Sequence, residues 1–343
     1  MQYSIKNYYK ALKFLGRNAE FTPLDLMLLL QYKSGLPKEK LITENYGFQL
    51  SLFKYLFYLL DLLFLRFSFP IHYIIRKKEF YSHEFFIEKG ILIPRPDSET
   101  LVEAVIEKIK ILVSRGETEV SVAEIGTGSG ALILSVMKYF NDLNFPVKFK
   151  FYGVDRSEIA LRTTKKNYFY LFQNPGNHNG LKKYRSVKST MKRPDKENNF
   201  LFILFRSDLL NCFLSKKRNK KPYFSNGVKG DNCSGNAEGK PGFDLIFSNP
   251  FYISPRDFKK CERKIRWYEP KKALIAKKNG DYFYLKILGQ SFDMLRHGGY
   301  LIFETGDDAQ ACRVEQYMKE KSFGIEKIKD LTGISRVVAG RKR

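Results

Sequence analysis

Val120-Ser121-Val122-Ala123-Glu124-Ile125-Gly126-Thr127-Gly128-Ser129-Gly130 is a short apolar run that breaks into glycines alternating with small hydroxyl residues. Ala131 to Phe140 then carries the apolar spacing of a helix. A strand, a glycine turn and a helix in that order open a nucleotide-binding α/β unit. Glycines let the backbone approach a ligand without a Cβ clash, and the helix start presents unpaired N–H groups and a positive dipole end. Taken alone, the stretch also fits a tight turn with no ligand, or a dinucleotide site related to G-x-G-x-x-G.

The segments that follow narrow the choice. Lys148-Phe149-Lys150-Phe151-Tyr152-Gly153-Val154-Asp155 alternates as a strand and ends in an acid. At that place a carboxylate accepts hydrogen bonds from ribose hydroxyls, although Asp155 also fits as a cap for the helix opening at Ser157-Glu158-Ile159. Phe200 to Phe205 makes a third strand and leads to Arg206-Ser207-Asp208-Leu209. Asp208 there either meets an adenine amino group, with Leu209 grouped with it as cofactor-binding, or caps a turn. Gly299 to Glu304 supplies a further strand. Alternating strands and helices predict an α/β fold, a doubly wound Rossmann-like sheet with helices on both faces. In such sheets ligands sit beyond the carboxyl ends of the strands, where each of these features falls.

Phe243-Asp244-Leu245-Ile246-Phe247-Ser248-Asn249-Pro250-Phe251-Tyr252 reads as a buried strand stopped by proline. Beyond the stop lie groups suited to a planar amide or amino nitrogen. Asn249 has a side-chain carbonyl, the chain around Pro250 has backbone carbonyls, and Tyr252 has a flat face.

At this point the chain resembles the S-adenosylmethionine-dependent glutamine-N5 methyltransferases that modify peptide-chain release factors, the PrmC/HemK family. Ile93-Pro94-Arg95-Pro96-Asp97-Ser98-Glu99 is similar to the family's I-P-R-P-D-[ST]-E, Glu124 to Gly130 to its D-L-G-T-G-S-G, and Ser248 to Tyr252 to its S-N-P-P-Y. Glu269-Pro270 with Ala273-Leu274, Gly298-Gly299 to Gly306, and Asp330-Leu331-Thr332-Gly333-Ile334-Ser335-Arg336-Val337-Val338 match further elements in family order. The resemblance implies a class I methyltransferase sheet and S-adenosyl-L-methionine as cofactor, bound by Gly126, Thr127, Gly128, Ser129, Gly130, Asp155, Asp208, Leu209 and Asn249. It implies Asn249, Pro250 and Tyr252 as catalytic residues, with Phe251 beside them in substrate binding. The acceptor it implies is the glutamine of the release factor's Gly-Gly-Gln loop.

Three departures from the family pattern stand out. Glu124 replaces an aspartate with the same charge. Phe251 replaces the second proline, which removes a ring that fixes φ and adds an N–H and a bulky side chain; activity is expected to survive. Basic inserts interrupt the catalytic domain near residues 173–199 and 212–242. A nucleic-acid amino-methyltransferase, a ribosomal-protein glutamine methyltransferase and a cofactor-binding homologue without catalysis are the competing readings. The first is favoured by the inserts, because an exocyclic amine presents a similar planar N–H2 group.

At 343 residues the chain is long enough for two domains. The expected division is a helical substrate-recognition domain over residues 1–85, a connector over 86–96 (hairpin-like from Phe80 to Pro96) and the methyltransferase domain over 97–343. Helices are predicted at Tyr3–Leu15, Pro23–Tyr32, Pro37–Asn45 and Ser51–Phe67, and a terminal hairpin at Ile325–Leu331 and Arg336–Gly340. Lys54, Asp61 and Arg66 interrupt the apolar run Leu50–Phe69, which favours a buried helix over a membrane span. Cys212, Cys233, Cys261 and Cys312 lack C-x-x-C spacing and no export signal is apparent, so reduced thiols in a cytoplasm and no metal site are expected. Net charge is +24, and Arg162 to Lys240 holds 18 Lys/Arg against 5 Asp/Glu. Such basic, Gly/Asn/Ser-rich stretches suit solvated surface loops, with weak RNA contact through Lys216-Lys217-Arg218 and Lys220-Lys221 as the sharper reading.

Overall fold

A computed structural model describes residues 21–43, 51–143, 145–173, 200–214, 222–226 and 242–343. The expected helix Tyr3–Leu15, the cluster Lys216 to Lys221, Cys233 and most of both basic inserts lie outside the described residues.

The amino-terminal part is helical: Pro23–Ser34, Lys38–Thr43, Leu52–Arg66 and Ile71–Ile75. The first helix is set by a capping box in which the Thr22 hydroxyl accepts from Asp25 N and the Asp25 carboxylate accepts from Thr22 N, and by Gly35 in the left-handed region at its end. Leu29, Leu30, Leu41, Tyr58, Leu62, Leu65 and Ile71 form its core. Asp61, one of the charges that broke the apolar run, pairs with Lys33 at 2.5 Å. Among the described residues no helix is long and apolar enough to cross a membrane.

A two-stranded hairpin follows, β1 (Lys77–Phe80) against β2 (His83–Phe86). It begins at Lys77, three residues before Phe80, where the hairpin-like stretch was expected to start. Its two-residue turn is Tyr81-Ser82, both at positive φ, the conformation of a tight hairpin turn. No glycine, asparagine or aspartate marks that turn, so turn chemistry in the sequence could not place it.

The main sheet comprises β3 (Glu119–Ile125), β4 (Lys148–Asp155), β5 (Phe200–Arg206), β6 (Phe224–Ser225), β7 (Phe243–Ser248), β8 (Leu295–Glu304), β9 (Phe323–Lys329) and β10 (Ser335–Lys342). Their order is β6-β5-β4-β3-β7-β8-β10-β9. β5, β4, β3, β7 and β8 run parallel; β6 at one edge and the β9–β10 hairpin at the other are antiparallel additions. The chain winds outward from β3 through β4 to β5, then returns to β7 on the other side, so the strand order reverses at β3. That reversal opens the crevice in which ligands bind.

Alternating side chains feed two cores, one on each face. Val120, Val122, Phe149, Phe151, Leu245 and Phe247 lie on one side; Ala123, Ile125, Tyr152, Val154, Phe243 and Ile246 lie on the other. Burial on both faces explains why these strands read as nearly continuous apolar runs. Phe80, Phe85 and Ile87 of the hairpin region belong to the first of these cores. Asn167, fully buried in helix Glu158–Gln173, ties the hairpin to the glycine turn. Its Oδ1 accepts from Phe86 N at 2.7 Å, and its Nδ2 donates to Phe86 O at 3.0 Å and to Ser129 O at 2.8 Å.

Candidate active site

Two cavities border the carboxyl ends of the parallel strands. The larger, about 390 Å³, is of small-molecule size and is lined by Ile91, Arg95, Ser98, Glu124, the turn Gly126 to Ser129, Asp155 to Ser157, Asn249 and Phe251, among others. The smaller, about 50 Å³, lies between Asp155, Asp208, Leu209, Ser248 to Phe251 and Phe283. Asp155, Asn249 and Phe251 border both.

The glycine turn is built for close approach. Gly126 N donates to Val154 O at 2.7 Å, and Gly128 N donates to Asp155 Oδ2 at 3.0 Å. Gly128 sits at φ +56°, where side chains are rarely tolerated. Gly130 is an exception to the expected set, since it lines neither cavity. A Cβ there would stand 2.7 Å from Thr164 Cγ2, so its role is to let helix Glu158–Gln173 pack against the start of helix Ala131–Asp142.

Both readings of Asp155 have a counterpart in the geometry. Its carboxylate caps the next helix by accepting from Ser157 N at 2.8 Å, and the same side chain borders both cavities. Burial pushes its pKa up, against the pull of the Ser157 and Gly128 N–H groups. Glu124, 1 % exposed, carries a carboxyl that burial holds well above the usual carboxylate range. Its Oε2 and the buried Thr127 hydroxyl have no hydrogen-bond partner. A cavity edged by glycines and lined by unsatisfied polar atoms fits a cofactor with an amino-acid end and a nucleoside end.

Asn249 stands where the cavities meet, and its Nδ2 donates to Ser98 Oγ at 3.2 Å. That bond turns Oδ1 the other way, making it the acceptor left for a ligand. Pro250 borders the smaller cavity. Phe251, in the place of a family proline, packs edge-to-face on Phe283 with centroids 4.9 Å apart at 78°. Tyr252 departs from expectation: it lines neither cavity. Its ring lies over Gly306, where a Cβ would meet it at 3.0 Å, and its carbonyl accepts from Gln310 Nε2 at 3.2 Å. Burial pushes its hydroxyl pKa up, and Glu304 pushes the same way.

The sequence reading did not place Ser98 and Phe283 at the cavities, or Glu304 behind them. Ser98 and Glu304 occur inside quoted motifs but carry no spacing that reveals their meeting. The motifs are joined by ion pairs, Arg95 with Glu269 and Arg336 with Asp97 at 3.4 Å, and Arg336 also pairs with Asp330 of its own motif at 3.0 Å.

The family profile of Eco57I restriction-modification methylase matches residues 150–311. A release factor glutamine methyltransferase of Clostridium acetobutylicum is 31% identical over 94% of this chain and 92% of its own length. One of Clostridium botulinum is 31% identical over 80% of this chain and 76% of its own. The solved structure of a release factor-specific protein-(glutamine-N5) methyltransferase from Alicyclobacillus acidocaldarius aligns at TM-score 0.35 and 21% identity, covering 76% of this chain and 99% of that one. The first of these relatives, similar over more than nine tenths of both chains, settles the kinship that the motifs suggested: the chain belongs to the release factor glutamine methyltransferases.

Proposed function

We propose that the chain transfers a methyl group from S-adenosyl-L-methionine to the side-chain amide nitrogen of the glutamine in the Gly-Gly-Gln loop of peptide-chain release factors. The observation that carries this reading is Asn249 at the junction of the two cavities, its own amide nitrogen engaged by Ser98. When bound, the cofactor supplies an electrophilic methyl on a sulfonium. Gly126, Thr127, Gly128, Ser129 and Asp155 would hold it in the larger cavity, with Asp208 and Leu209 at the smaller.

An amide nitrogen is a weak nucleophile, because its lone pair is delocalised into the carbonyl. Asn249 Oδ1 and the Pro250 carbonyl would accept from its two N–H groups, fix its direction of approach and favour the positive charge that develops on it. The product's extra proton is acidic enough to leave to water, so no strong base is required. The buried position of Tyr252 supports a role in holding the Asn249–Phe251 loop from behind.

Residues 1–85 would form the substrate-recognition part, and residues 97–343 the methyl-transfer part. A release-factor substrate places the activity in the cytoplasm. A second reading, amino-group methylation of a nucleic acid with weak RNA contact through the basic inserts, is favoured by the Eco57I-type match. Labelled cofactor offered with release factor, ribosomal protein and RNA in parallel separates the two. Label on the release factor glutamine is the expected result, and label on RNA alone would overturn it.

A further inference from the structure

Glu304 ends β8 and is 1 % exposed, with an Oε2 that has no hydrogen-bond partner. A buried carboxylate with one oxygen unsatisfied is costly, so one beside a reaction site calls for a role. Glu304 borders neither cavity and touches no ligand space. Its polar neighbours include the Ser98 hydroxyl and the Asn249 side chain, which with Arg336 pull its pKa down against burial. Ser98 in turn accepts from Asn249 Nδ2 at 3.2 Å.

An asparagine amide has two orientations related by a half-turn. With Nδ2 inward, Oδ1 faces the acceptor amide and can receive its N–H. With Oδ1 inward, an N–H2 group faces an N–H2 group, and the contact is unproductive. An ionised carboxylate behind the amide penalises the second orientation, because oxygen would then face oxygen. A protonated one permits it, since the acid O–H can donate to an inward Oδ1.

We propose that Glu304, acting with Ser98, is the positioning residue that selects the productive orientation of the Asn249 amide. The proposal rests on the reading of Asn249 as the group that receives the acceptor amide. Charged and titratable groups face Glu304 from several elements: Asp97 from the short helix Pro96–Ser98, Tyr252 from the loop after β7, Tyr284 from helix Tyr282–Phe292, and Arg336 from β10. Burial raises Glu304 to about 7, against the opposing pull of Ser98, Arg336 and Asn249. The selection therefore strengthens as pH rises through neutrality.

The test measures turnover on purified release factor with labelled S-adenosyl-L-methionine from pH 6 to 9. Wild type should show a limb near pH 7 below which kcat falls. Glu304→Gln can pair with either orientation of Asn249, so about half the amides would face the wrong way and kcat should drop about twofold or more. The limb should vanish, and KM for the cofactor should stay within about threefold. Unchanged kcat with the limb retained would overturn the proposal, as would a loss confined to KM. Should Glu304→Gln fail to fold, Ser98→Ala decides: a drop in kcat of about threefold or more with the limb retained supports the proposal, and wild-type kcat overturns it. Asn249→Ala separates the underlying reading, which fails if that variant keeps its turnover whatever the other two do.

Discussion

Arg95 and Glu269 lie 174 residues apart in the chain and form an ion pair at the wall of the larger cavity. Glu269 is nearly sealed from solvent at 1 % side-chain exposure, while Arg95 keeps 32 %. The pair binds the connector motif to the Glu269-Pro270 motif. Breaking it by Arg95→Met leaves a buried carboxylate without its cation, and folding stability should fall by about 3 kcal/mol. Urea denaturation of the two proteins at pH 8 checks this; a loss below about 0.5 kcal/mol would show that the pair is not structural.

Gly128→Val should weaken S-adenosyl-L-methionine binding by about tenfold to a hundredfold. No protein atom lies closer than 3.9 Å to a Cβ built there (Ile91), so a side chain would take up space in the cavity that the turn lines. Forcing a β-branched residue to positive φ adds a strain of about 1–3 kcal/mol in a turn that must keep its shape. Calorimetric titration with unchanged affinity would remove the turn from the cofactor site.

Asn249→Ala should lower turnover by roughly two to three orders of magnitude while cofactor affinity moves by less than about tenfold. The split matters because Asn249 borders both cavities. Equal losses in rate and affinity would make it chiefly a cofactor ligand.

Phe251→Pro restores the family residue, and the sequence alone suggests a stiffer loop with turnover held or raised. The packed ring on Phe283 reverses that expectation. Removing it forfeits an aromatic pair worth about 1 kcal/mol and opens a gap between the cavities. Cofactor affinity should fall about fivefold to tenfold, an amount that titration resolves; a gain in affinity would mean the ring only fills space.

Glu304 also predicts a stability profile that is independent of activity. Its folded value of about 7 lies above the ordinary 4.5. At pH below 4.5 both states hold the proton. Between 4.5 and 7 the unfolded chain releases it and the folded chain does not, so stability declines as pH rises, by about 3 kcal/mol in all. Chemical denaturation across that window should show the decline in wild type and a flatter line in Glu304→Gln.

The parallel sheet was legible because its strands are buried on both faces and end in glycine, acid or proline. β4 occupies Lys148–Asp155 as its alternation indicated. The β1–β2 turn was not legible, because Tyr81 and Ser82 adopt positive φ that their types do not advertise. At the site, Asp155, Asp208 and Asn249 could be placed from strand ends alone. Gly130 and Tyr252 line neither cavity, a placement the sequence does not reveal, since glycines and aromatics serve packing with the same residue types. Ser98 and Glu304 lie on distant segments, and their meeting is a property of the fold rather than of any local pattern.

Asn167 spends every polar atom of its side chain on main-chain groups of two other segments, at Phe86 and Ser129. Aspartate would present an oxygen where the two carbonyls need a donor, glutamine would overreach by a methylene, and serine would fall short. The position therefore has no conservative neighbour among the amino acids. A chain drifting through sequence space stands at Asn167 on a single stepping stone.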